Sequence, residues 1–255
     1  MPIPPPHYSS LSPFANWFQS GTPILTYHKL GARPAGARLK GLYLSSRGFK
    51  KQLSELKQAG FTTPLVARVL PGNAMAPRQI ILSFDDGFRN VFENALEPLR
   101  EHQFRAVQFL VADLLGRRNE WDLDAGEIPA PLMDASQVRE WLSAGHEIGS
   151  HSLSHPRLTQ LSTSRAREEI AASKKKLEDL FHQPIEHFCY PYGDWNEALA
   201  GMVEESGYRS ACTTNFGLVT PASRAFALDR ISVRYPSRSL KTAKAWLAAK
   251  WKRAR

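Results

Sequence analysis

The strongest constraint on the fold is the alternation of short apolar segments with longer segments of helical period. Predicted strands, rich in β-branched and aromatic residues, cover 24–27, 79–84, 106–111, 147–149, 187–190, 210–213 and 231–233. Predicted helices cover 49–59, 91–102, 136–144, 164–181, 196–206 and 240–250. Gly60, Gly145 and Gly207 each follow a predicted helix, where a left-handed residue is favoured. Strand–helix alternation predicts a parallel sheet, open or closed into a barrel.

Composition narrows the class of protein. The 255 residues, 42% of them hydrophobic, suit one large α/β domain. Cys189 and Cys212 form no CxxC pair, which argues against a disulfide scaffold or a four-cysteine zinc site, and we expect them to be inert packing residues. The sequence contains no apolar run of about 18 residues, so no transmembrane helix is predicted. No basic residue precedes Lys29, so we expect no secretory signal and a cytoplasmic location.

The charge favours anionic partners, although no nucleic-acid motif accompanies it. Formal charge is +9, which suits nucleic acid, phospholipid headgroups or acidic glycans. Without an RNP-like string, zinc finger or P-loop, we expect no nucleic-acid partner. The basic tail 239–255 has Leu240, Ala243, Leu247 and Trp251 at helical spacing. It is predicted to be a terminal helix packed on the domain, with peripheral contact to an anionic membrane as the alternative.

Two adjacent acids end the second predicted strand, in the motif Ser83-Phe84-Asp85-Asp86-Gly87. Adjacent carboxylates repel each other unless a cation or hydrogen bonds compensate. For an isolated motif of this kind, a solvated turn or a helix cap is the favoured explanation.

Two histidines follow the fourth predicted strand, in the motif His151-Ser152-Leu153-Ser154-His155. A spacing of four places both rings on one side if the segment forms a helical turn. Two imidazoles and one carboxylate can bind Zn²⁺ and leave positions open for water and substrate. The alternative is a pair of structural histidines that donate to backbone carbonyls.

A parallel barrel would bring these motifs together, because its active site lies at the carboxyl ends of the strands. Tyr190-Pro191-Tyr192-Gly193 follows another predicted strand. His28 closes the strand 24–27, and Arg230 precedes or opens the last one. Most of these groups are therefore predicted to share one rim.

These motifs resemble those of the polysaccharide deacetylases of the NodB-homology type, carbohydrate esterase family 4, over most of the chain from Pro23 to Val233. SFDDG resembles the first family motif, T-F-D-D-G, and HSLSH resembles the histidine-pair motif, H-[ST]-x-x-H. YPYG resembles the end of the third, R-x-P-Y-G. The resemblance implies a distorted (β/α) barrel over residues 21–237, with an N-terminal extension (1–20) and a basic C-terminal helix (238–255).

The resemblance also implies roles for individual residues. Asp85 corresponds to the catalytic base, and the metal ligands correspond to Asp86, His151 and His155. The backbone N–H of Tyr192 corresponds to the oxyanion donor. The residues expected at the substrate are Tyr190, Pro191 and Trp121, the last in a loop, Asn119-Glu120-Trp121-Asp122, that resembles part of a bacterial subgroup.

The chain departs from the family pattern at two positions. Cys189 replaces the arginine that opens the third motif and orients the base, and the late Leu-x-His that supplies the general acid is missing. Tyr27-His28 resembles an early Tyr-His of the poly-N-acetylglucosamine branch, so we expect His28 to be the acid. Arg230 is expected to orient the base; the alternatives are a buried, backbone-bonded His28 and an ion pair between Arg230 and Asp229.

The implied activity is metal-dependent removal of an N-acetyl or other N-acyl group from a carbohydrate. A metal-bound water, expected on Zn²⁺, would be the nucleophile, with Asp85 as base. A carbohydrate O-acetyl esterase and a catalytically inactive glycan-binding module remain as alternatives. Which sugar is acted on does not follow from the sequence.

Overall fold

The computed structural model describes residues 4–73 and 76–234 of the chain. These residues contain nine strands: β1 Ile24–Tyr27, β2 Lys29–Leu30, β3 Tyr43–Leu44, β4 Ile81–Phe84, β5 Val107–Leu110, β6 Glu147–Ser150, β7 His187–Cys189, β8 Ser210–Phe216 and β9 Leu228–Ser232. They also contain five α-helices: α1 Ser46–Gln58, α2 Arg89–His102, α3 Ala135–Ser143, α4 Thr163–Phe181 and α5 Glu197–Glu205.

Seven of the strands form a closed parallel barrel, which confirms the predicted (β/α) barrel. They are adjacent in the order β1, β4, β5, β6, β7, β8 and β9, and β9 closes the barrel by pairing with β1 through Leu25 and Ile231. Every pairing is parallel, so the carboxyl ends of all seven strands meet at one rim. The interior of the barrel is apolar below that rim, where Ile81, Phe109 and Leu228 are buried in one cluster.

The predicted elements agree with the structure to within a few residues at most of their ends. Gly60, Gly145 and Gly207 have φ angles of 78°, 86° and 80°, so each stops its helix in the left-handed conformation expected there. The last strand starts at Leu228 rather than at Ile231, which places Arg230 inside β9. The predicted helix 240–250, and with it the basic tail 239–255, lies outside the described residues.

A small parallel sheet of β2 and β3 was not predicted, since two-residue strands are too short to show a period. It pairs Lys29 with Tyr43 and Leu30 with Leu44, and so ties the loop 31–42 to the end of β1. This loop therefore starts and ends beside the rim.

The N-terminal segment packs against the side of the barrel near β9. Tyr8 donates its backbone N–H to Ser232 O at 3.0 Å, and Glu55 of α1 accepts from the Leu11 N–H at 3.1 Å. Phe14 is fully buried in the core beside Tyr8, with ring centroids 5.2 Å apart. No described helix follows β8 or β9, and residues 4–20 cover this side of the barrel instead.

None of the helices in the described ranges combines the length and the apolar character that crossing a bilayer requires.

Burial of His146 predicts a loss of stability in acid. Its ring lies 4.3 Å from that of Trp141, and neither ring nitrogen has a partner among the described residues. Burial, assisted by Arg105, lowers the pKa of His146 from 6.5 to about 4. Between these values the unfolded chain binds more protons, so stability is lost as pH falls through the window. His146→Phe removes this cost and should reduce the acid-induced loss of unfolding free energy by about 1–3 kcal/mol at about pH 4.5.

Urea unfolding of the wild type and the variant at neutral and acid pH measures the difference. The exposed His182, replaced by Asn to suit its left-handed φ of 54°, is the control and should leave the acid loss unchanged. An equal acid loss in His146→Phe and wild type would show that His146 is not the responsible group.

Candidate active site

The rim at the carboxyl ends of the strands holds a cavity of about 530 Å³. Its lining includes nearly all the site residues predicted from the sequence: His28, Asp85, Asp86, Trp121, His151, His155, Tyr190, Tyr192 and Arg230. Pro191 is the exception, since it is buried and is absent from the described lining residues. Parallel pairing brings these groups together although up to about 200 residues separate them along the chain.

Asp85 and Arg230 form a two-pronged ion pair at the base of the cavity. Asp85 follows β4 directly, and Arg230 lies in β9. Arg230 Nη1 donates to Asp85 Oδ1 and Nη2 to Oδ2, both at 2.8 Å, while Nε donates to Thr213 O at 2.7 Å. Both side chains are almost fully buried. The carboxylate is thus held in one plane.

The ion pair sets the charge state of both partners. Burial by itself raises the pKa of Asp85, but the Arg230 charge and its hydrogen bonds outweigh burial and lower that pKa below its usual value. Arg230 therefore pairs with the predicted base and not with its sequence neighbour Asp229.

Cys189 is buried in the interior cluster of the barrel, as expected of a packing residue, and it also takes part in this arrangement. Its Sγ accepts a hydrogen bond from Arg230 Nη2 at 3.1 Å, and its backbone oxygen accepts from His151 Nδ1 at 2.7 Å. Burial raises the pKa of the Cys189 thiol well above its usual value, so the sulfur stays protonated. One residue thus contacts both the orienting arginine and a predicted metal ligand.

Asp86, His151 and His155 present three acceptor atoms to one point. Asp86 Oδ1 lies 3.4 Å from His151 Nε2 and 3.3 Å from His155 Nε2, and all three side chains are buried. Because a carbonyl cannot donate, His151 Nδ1 carries the proton in its bond to Cys189 O, which leaves Nε2 with a lone pair. A tetrahedral zinc site with bonds of about 2.0–2.1 Å has ligands about 3.3–3.4 Å apart. The three residues fit a divalent cation.

A second cluster of potential ligands, Asp85, His151 and Cys189, does not fit a metal. Arg230 already donates to both oxygens of Asp85 and to the Cys189 sulfur. A cation at this point would face the guanidinium charge.

The backbone around the three acceptors is strained. Asp86, Ser152, His155 and Tyr192 have φ angles of 74°, 66°, 67° and 60°, a region that non-glycine residues rarely adopt. The helical turn proposed for residues 151–155 is therefore wrong. The histidines converge because left-handed residues fold the loop back on itself, with the Ser152 hydroxyl accepting the His155 N–H at 3.0 Å.

Glu169 of α4 holds this strained loop in place. Its Oε2 accepts the N–H groups of Leu153 and Ser154, each at 3.0 Å, and its Oε1 accepts the Ser154 hydroxyl at 2.7 Å. Glu169 is 1% exposed. It was missed from the sequence, although its spacing, three residues after Ala166 and four before Ser173, puts it on the same helix face as those small residues and was a usable signal.

His28 stands at the end of β1 on the open side of Asp85. Its Nε2 is 3.9 Å from Asp85 Oδ2, and its side chain is 23% exposed, so it is accessible from the cavity. Burial lowers the pKa of His28, while Asp86 and Asp85 oppose that shift. A proton can pass between His28 and Asp85 after a small side-chain movement.

Two aromatic residues flank the cation site. The Trp121 ring stacks on His155 with centroids 4.3 Å apart, and the Tyr192 ring meets His155 edge-on at 4.6 Å. Tyr192 lies in the short turn after β7, whose two hydrogen bonds use the N–H groups of Gly193 and Asp194. The Tyr192 N–H takes part in neither bond. Tyr190 is fully buried, and its hydroxyl donates to Phe226 O at 3.0 Å.

A buried ion pair, also missed from the sequence, joins the two long loops at the rim. Lys29 Nζ is 3.6 Å from Glu127 Oε1 and lies over the Phe88 ring at 4.6 Å. Glu127 Oε2 accepts the backbone N–H groups of Arg38 at 2.8 Å and Leu39 at 2.7 Å. The loops 31–42 and 116–134 are thus held to each other beside the catalytic cavity.

Comparison with known proteins places this site in a family. The family model described as polysaccharide deacetylase matches residues 72–211, which include Asp85, His151 and Tyr192. The chain belongs to the polysaccharide deacetylase family. It is accordingly an enzyme, a polysaccharide deacetylase, and the three clustered acceptors agree with the metal dependence general in the family.

The sequences of related proteins align with most of this chain. YxkH of Bacillus subtilis, whose name assigns it to the polysaccharide deacetylases, is 25% identical over 215 residues, 83% of this chain and 71% of its own. A poly-β-1,6-N-acetyl-D-glucosamine N-deacetylase of Staphylococcus aureus is 23% identical over 207 residues, covering 76% of this chain and 69% of its own.

Solved structures show the same fold. The deacetylase PplD of Streptococcus pyogenes, solved with acetate, aligns with a TM-score of 0.73 at 24% identity, covering 88% of this chain and 97% of its own. IcaB from Ammonifex degensii aligns with a TM-score of 0.74 at 21% identity, covering 89% and 97%. At these identities the likeness supports the barrel alone.

Substitution should separate metal binding from turnover. His151→Ala removes one of three acceptors and should weaken Zn²⁺ binding by more than about 100-fold. Asp85→Asn leaves all three acceptors and should keep the metal, while turnover falls by about 10²–10⁴. Zinc content after dialysis, measured beside acetate release, checks both. His187→Asn, a buried histidine outside the cavity, is the control; an active Asp85→Asn enzyme would rule out Asp85 as the base.

Proposed function

We propose that this enzyme hydrolyses the N-acetyl groups of an N-acetylglucosamine-containing glycan. The main support is the position of His28, whose Nε2 lies 3.9 Å from Asp85 Oδ2 in the cavity that also holds the three acceptor atoms. A site that places a general acid, His28, close to a general base, Asp85, suits cleavage of an amide. The named activity of the Staphylococcus aureus relative agrees with this choice of substrate.

Asp86, His151 and His155 would hold a divalent cation, and Zn²⁺ is the expected ion because its preferred ligands are imidazole and carboxylate in a tetrahedral set. Such a cation lowers the pKa of a bound water to about 7 and polarises the acyl oxygen. The hydrogen bond from His151 to Cys189 O orients the ring and fixes its tautomer.

Asp85 would act as the general base. Arg230 engages one lone-pair direction of each oxygen, so the other directions stay available to accept a proton from the attacking water. The same clamp prevents Asp85 from rotating towards the three acceptors and becoming a fourth ligand. Its lowered pKa keeps it ionised and ready before each turnover.

His28 would protonate the leaving nitrogen. An amide anion leaves far less readily than an alkoxide, so amide hydrolysis depends on this proton more than ester hydrolysis does. The 3.9 Å separation from Asp85 also lets His28 receive the proton that the base has taken up. One carboxylate would thus serve both proton transfers.

Tyr192 would supply the oxyanion donor through its backbone N–H. The left-handed φ of 60° turns this N–H out of the hydrogen bonds of its own turn. Losing a donor of this kind raises a barrier by about 3–4 kcal/mol. The Trp121 and Tyr192 rings on either side of His155 offer apolar faces of the kind against which a sugar ring packs.

Acetate release from N-acetylglucosamine oligomers, with Zn²⁺ and then with a chelator, tests the proposed function directly. We expect release from the amide, and we expect the chelator to abolish it. Release from an O-acetyl ester alone would instead identify an esterase. Zinc-loaded protein that releases acetate from neither compound would contradict the proposal.

His28→Gln distinguishes amide from ester chemistry at the same site. It should reduce turnover of the N-acetyl substrate by about 10²–10⁴, because the amine then leaves unprotonated. Hydrolysis of an O-acetyl ester should fall by a smaller factor. His102→Gln, which alters a histidine on α2 outside the cavity, should change neither rate. Equal losses on the two substrates would remove His28 from the role of acid.

A further inference from the structure

We propose that the substrate carries an anionic group, a carboxylate or a phosphate, close to the acylated sugar, and that Arg157 and Arg234 bind it. This inference rests on the proposed function, because it assigns a substrate class to the same cavity. The inference goes beyond the proposed function because it distinguishes acidic glycans from neutral N-acetylglucosamine polymers as the substrate.

Arg157 lines the catalytic cavity on the side of the histidine loop. Its guanidinium carbon lies 4.2 Å from the centre of the Tyr192 ring, so one face of the planar group is covered. Its side chain is exposed and forms no ion pair with a described acidic residue. Stacking of this kind orients a guanidinium while leaving its N–H edge free, the geometry that carboxylates and phosphates bind with two hydrogen bonds.

Arg234 lines the same cavity from the end that follows β9. A Cβ on Gly41 would lie 3.4 Å from Arg234 Cδ, so the arginine stem rests over the backbone of the loop 31–42. Together with burial, its charge lowers the pKa of His7, which also lines the cavity. No described acidic side chain lies within ion-pair distance of Arg234. The second cation therefore reaches the cavity from a different element.

The two arginines are not paired with the acids of the cavity. Arg230 engages Asp85, and Asp86 belongs to the three-acceptor set. Asp122 is the remaining acid among the described lining residues. Outside the Asp85–Arg230 pair and the three-acceptor set, Arg157 and Arg234 thus share the cavity with one carboxylate.

A second basic cavity of about 560 Å³ adjoins this one along the chain. Arg33, Arg38 and Lys40 line it, whereas Leu39, between two of them, lines the catalytic cavity. Glu127 holds this loop through the N–H groups of residues 38 and 39, and Lys29 balances the charge of Glu127. Arg33, Arg38 and Lys40 therefore lie on a fixed loop. They extend the positive surface away from the reacting bond, and a polymer with repeating negative charges could bind along it.

Binding rather than turnover provides the test, so that it can fail independently of the proposed activity. Zinc-loaded protein is titrated calorimetrically with oligosaccharides of alternating N-acetylglucosamine and glucuronate, and with the same oligosaccharides after reduction of each carboxylate to an alcohol. We expect the acidic form to bind at least about tenfold more tightly, since each arginine contributes about threefold to fivefold. Raising NaCl from about 0.1 M to about 1 M, which shortens the Debye length from about 10 Å to about 3 Å, should remove most of this difference.

The source of the negative charge is distinguished by a second pair of ligands. N-acetylglucosamine 1-phosphate is compared with N-acetylglucosamine in the same titration. A larger preference in this pair identifies a sugar phosphate, and a larger preference in the first pair identifies a uronate-containing glycan. Equal affinities within both pairs would overturn the inference, even if neutral oligomers are deacetylated.

Variants separate charge recognition from support of the Tyr192 ring. Arg157→Gln combined with Arg234→Gln should bring the affinity ratio close to one, while Arg157→Lys, which keeps the charge, should preserve it. Arg139→Gln is the matched control. Arg139, on α3, is also an exposed arginine whose guanidinium lies over an aromatic ring, that of Phe181. Loss of affinity for acidic and neutral forms alike in Arg157→Gln and Arg157→Lys would show that Arg157 only supports Tyr192, and would also overturn the proposal.

Discussion

The ion pair between Asp85 and Arg230 is the interaction on which the rest of the site depends. Both groups are buried, and taking two charges out of water costs several kcal/mol per ion unless hydrogen bonds compensate. Arg230 donates two hydrogen bonds to the carboxylate and one each to Thr213 O, the Cys189 sulfur and the Ser83 hydroxyl. Because β1 lies between β4 and β9, the pair spans a strand and ties the closure of the barrel to the position of Asp85.

The three-acceptor set depends on the fixed carboxylate of Asp85. Asp86 is the next residue after Asp85, so clamping one carboxylate determines where the other points. The left-handed conformations of Asp86 and His155 cost about 1–3 kcal/mol each and persist only where surrounding contacts enforce them. Glu169 supplies those contacts on the histidine side. A strained backbone and three buried ligand atoms close to one point suit a cation that is held rigidly.

The loops around the cavity extend this rigidity towards the substrate. The Lys29 and Glu127 side chains are both fully enclosed, and an unpaired charge at either position would be costly. Each therefore stabilises the other, and together they join the loop that carries Trp121 to the loop that carries Leu39. The loop that carries the aromatic Trp121 and the basic loop 31–42 are thereby held to each other. Their fixed position reduces the ordering cost of binding a flexible glycan.

Local patterns in the sequence predicted the alternation of strands and helices, and the resemblance of three short motifs to a known family implied the barrel and the roles of the site residues. Apolar runs of the right length predicted the strands, and three short motifs predicted which strand ends carry acids, histidines and the oxyanion turn. These signals are contained within a few residues, so they can be read without knowing the fold. The role of each predicted site residue stays a prediction until it is measured.

Tertiary structure alone decided the partners of those residues. By sequence, Arg230 could have paired with the adjacent Asp229, yet it pairs with Asp85, 145 residues away. Closure of the barrel places β9 beside β1, and the Arg230 side chain extends past β1 to the end of β4. The histidine loop is folded by left-handed residues rather than by helical period, and Glu169, Cys189 and the Lys29–Glu127 pair act through contacts between distant segments. Periodicity reports which face of an element is buried, whereas the choice of partner for a buried charge depends on which groups the completed fold leaves within hydrogen-bond distance.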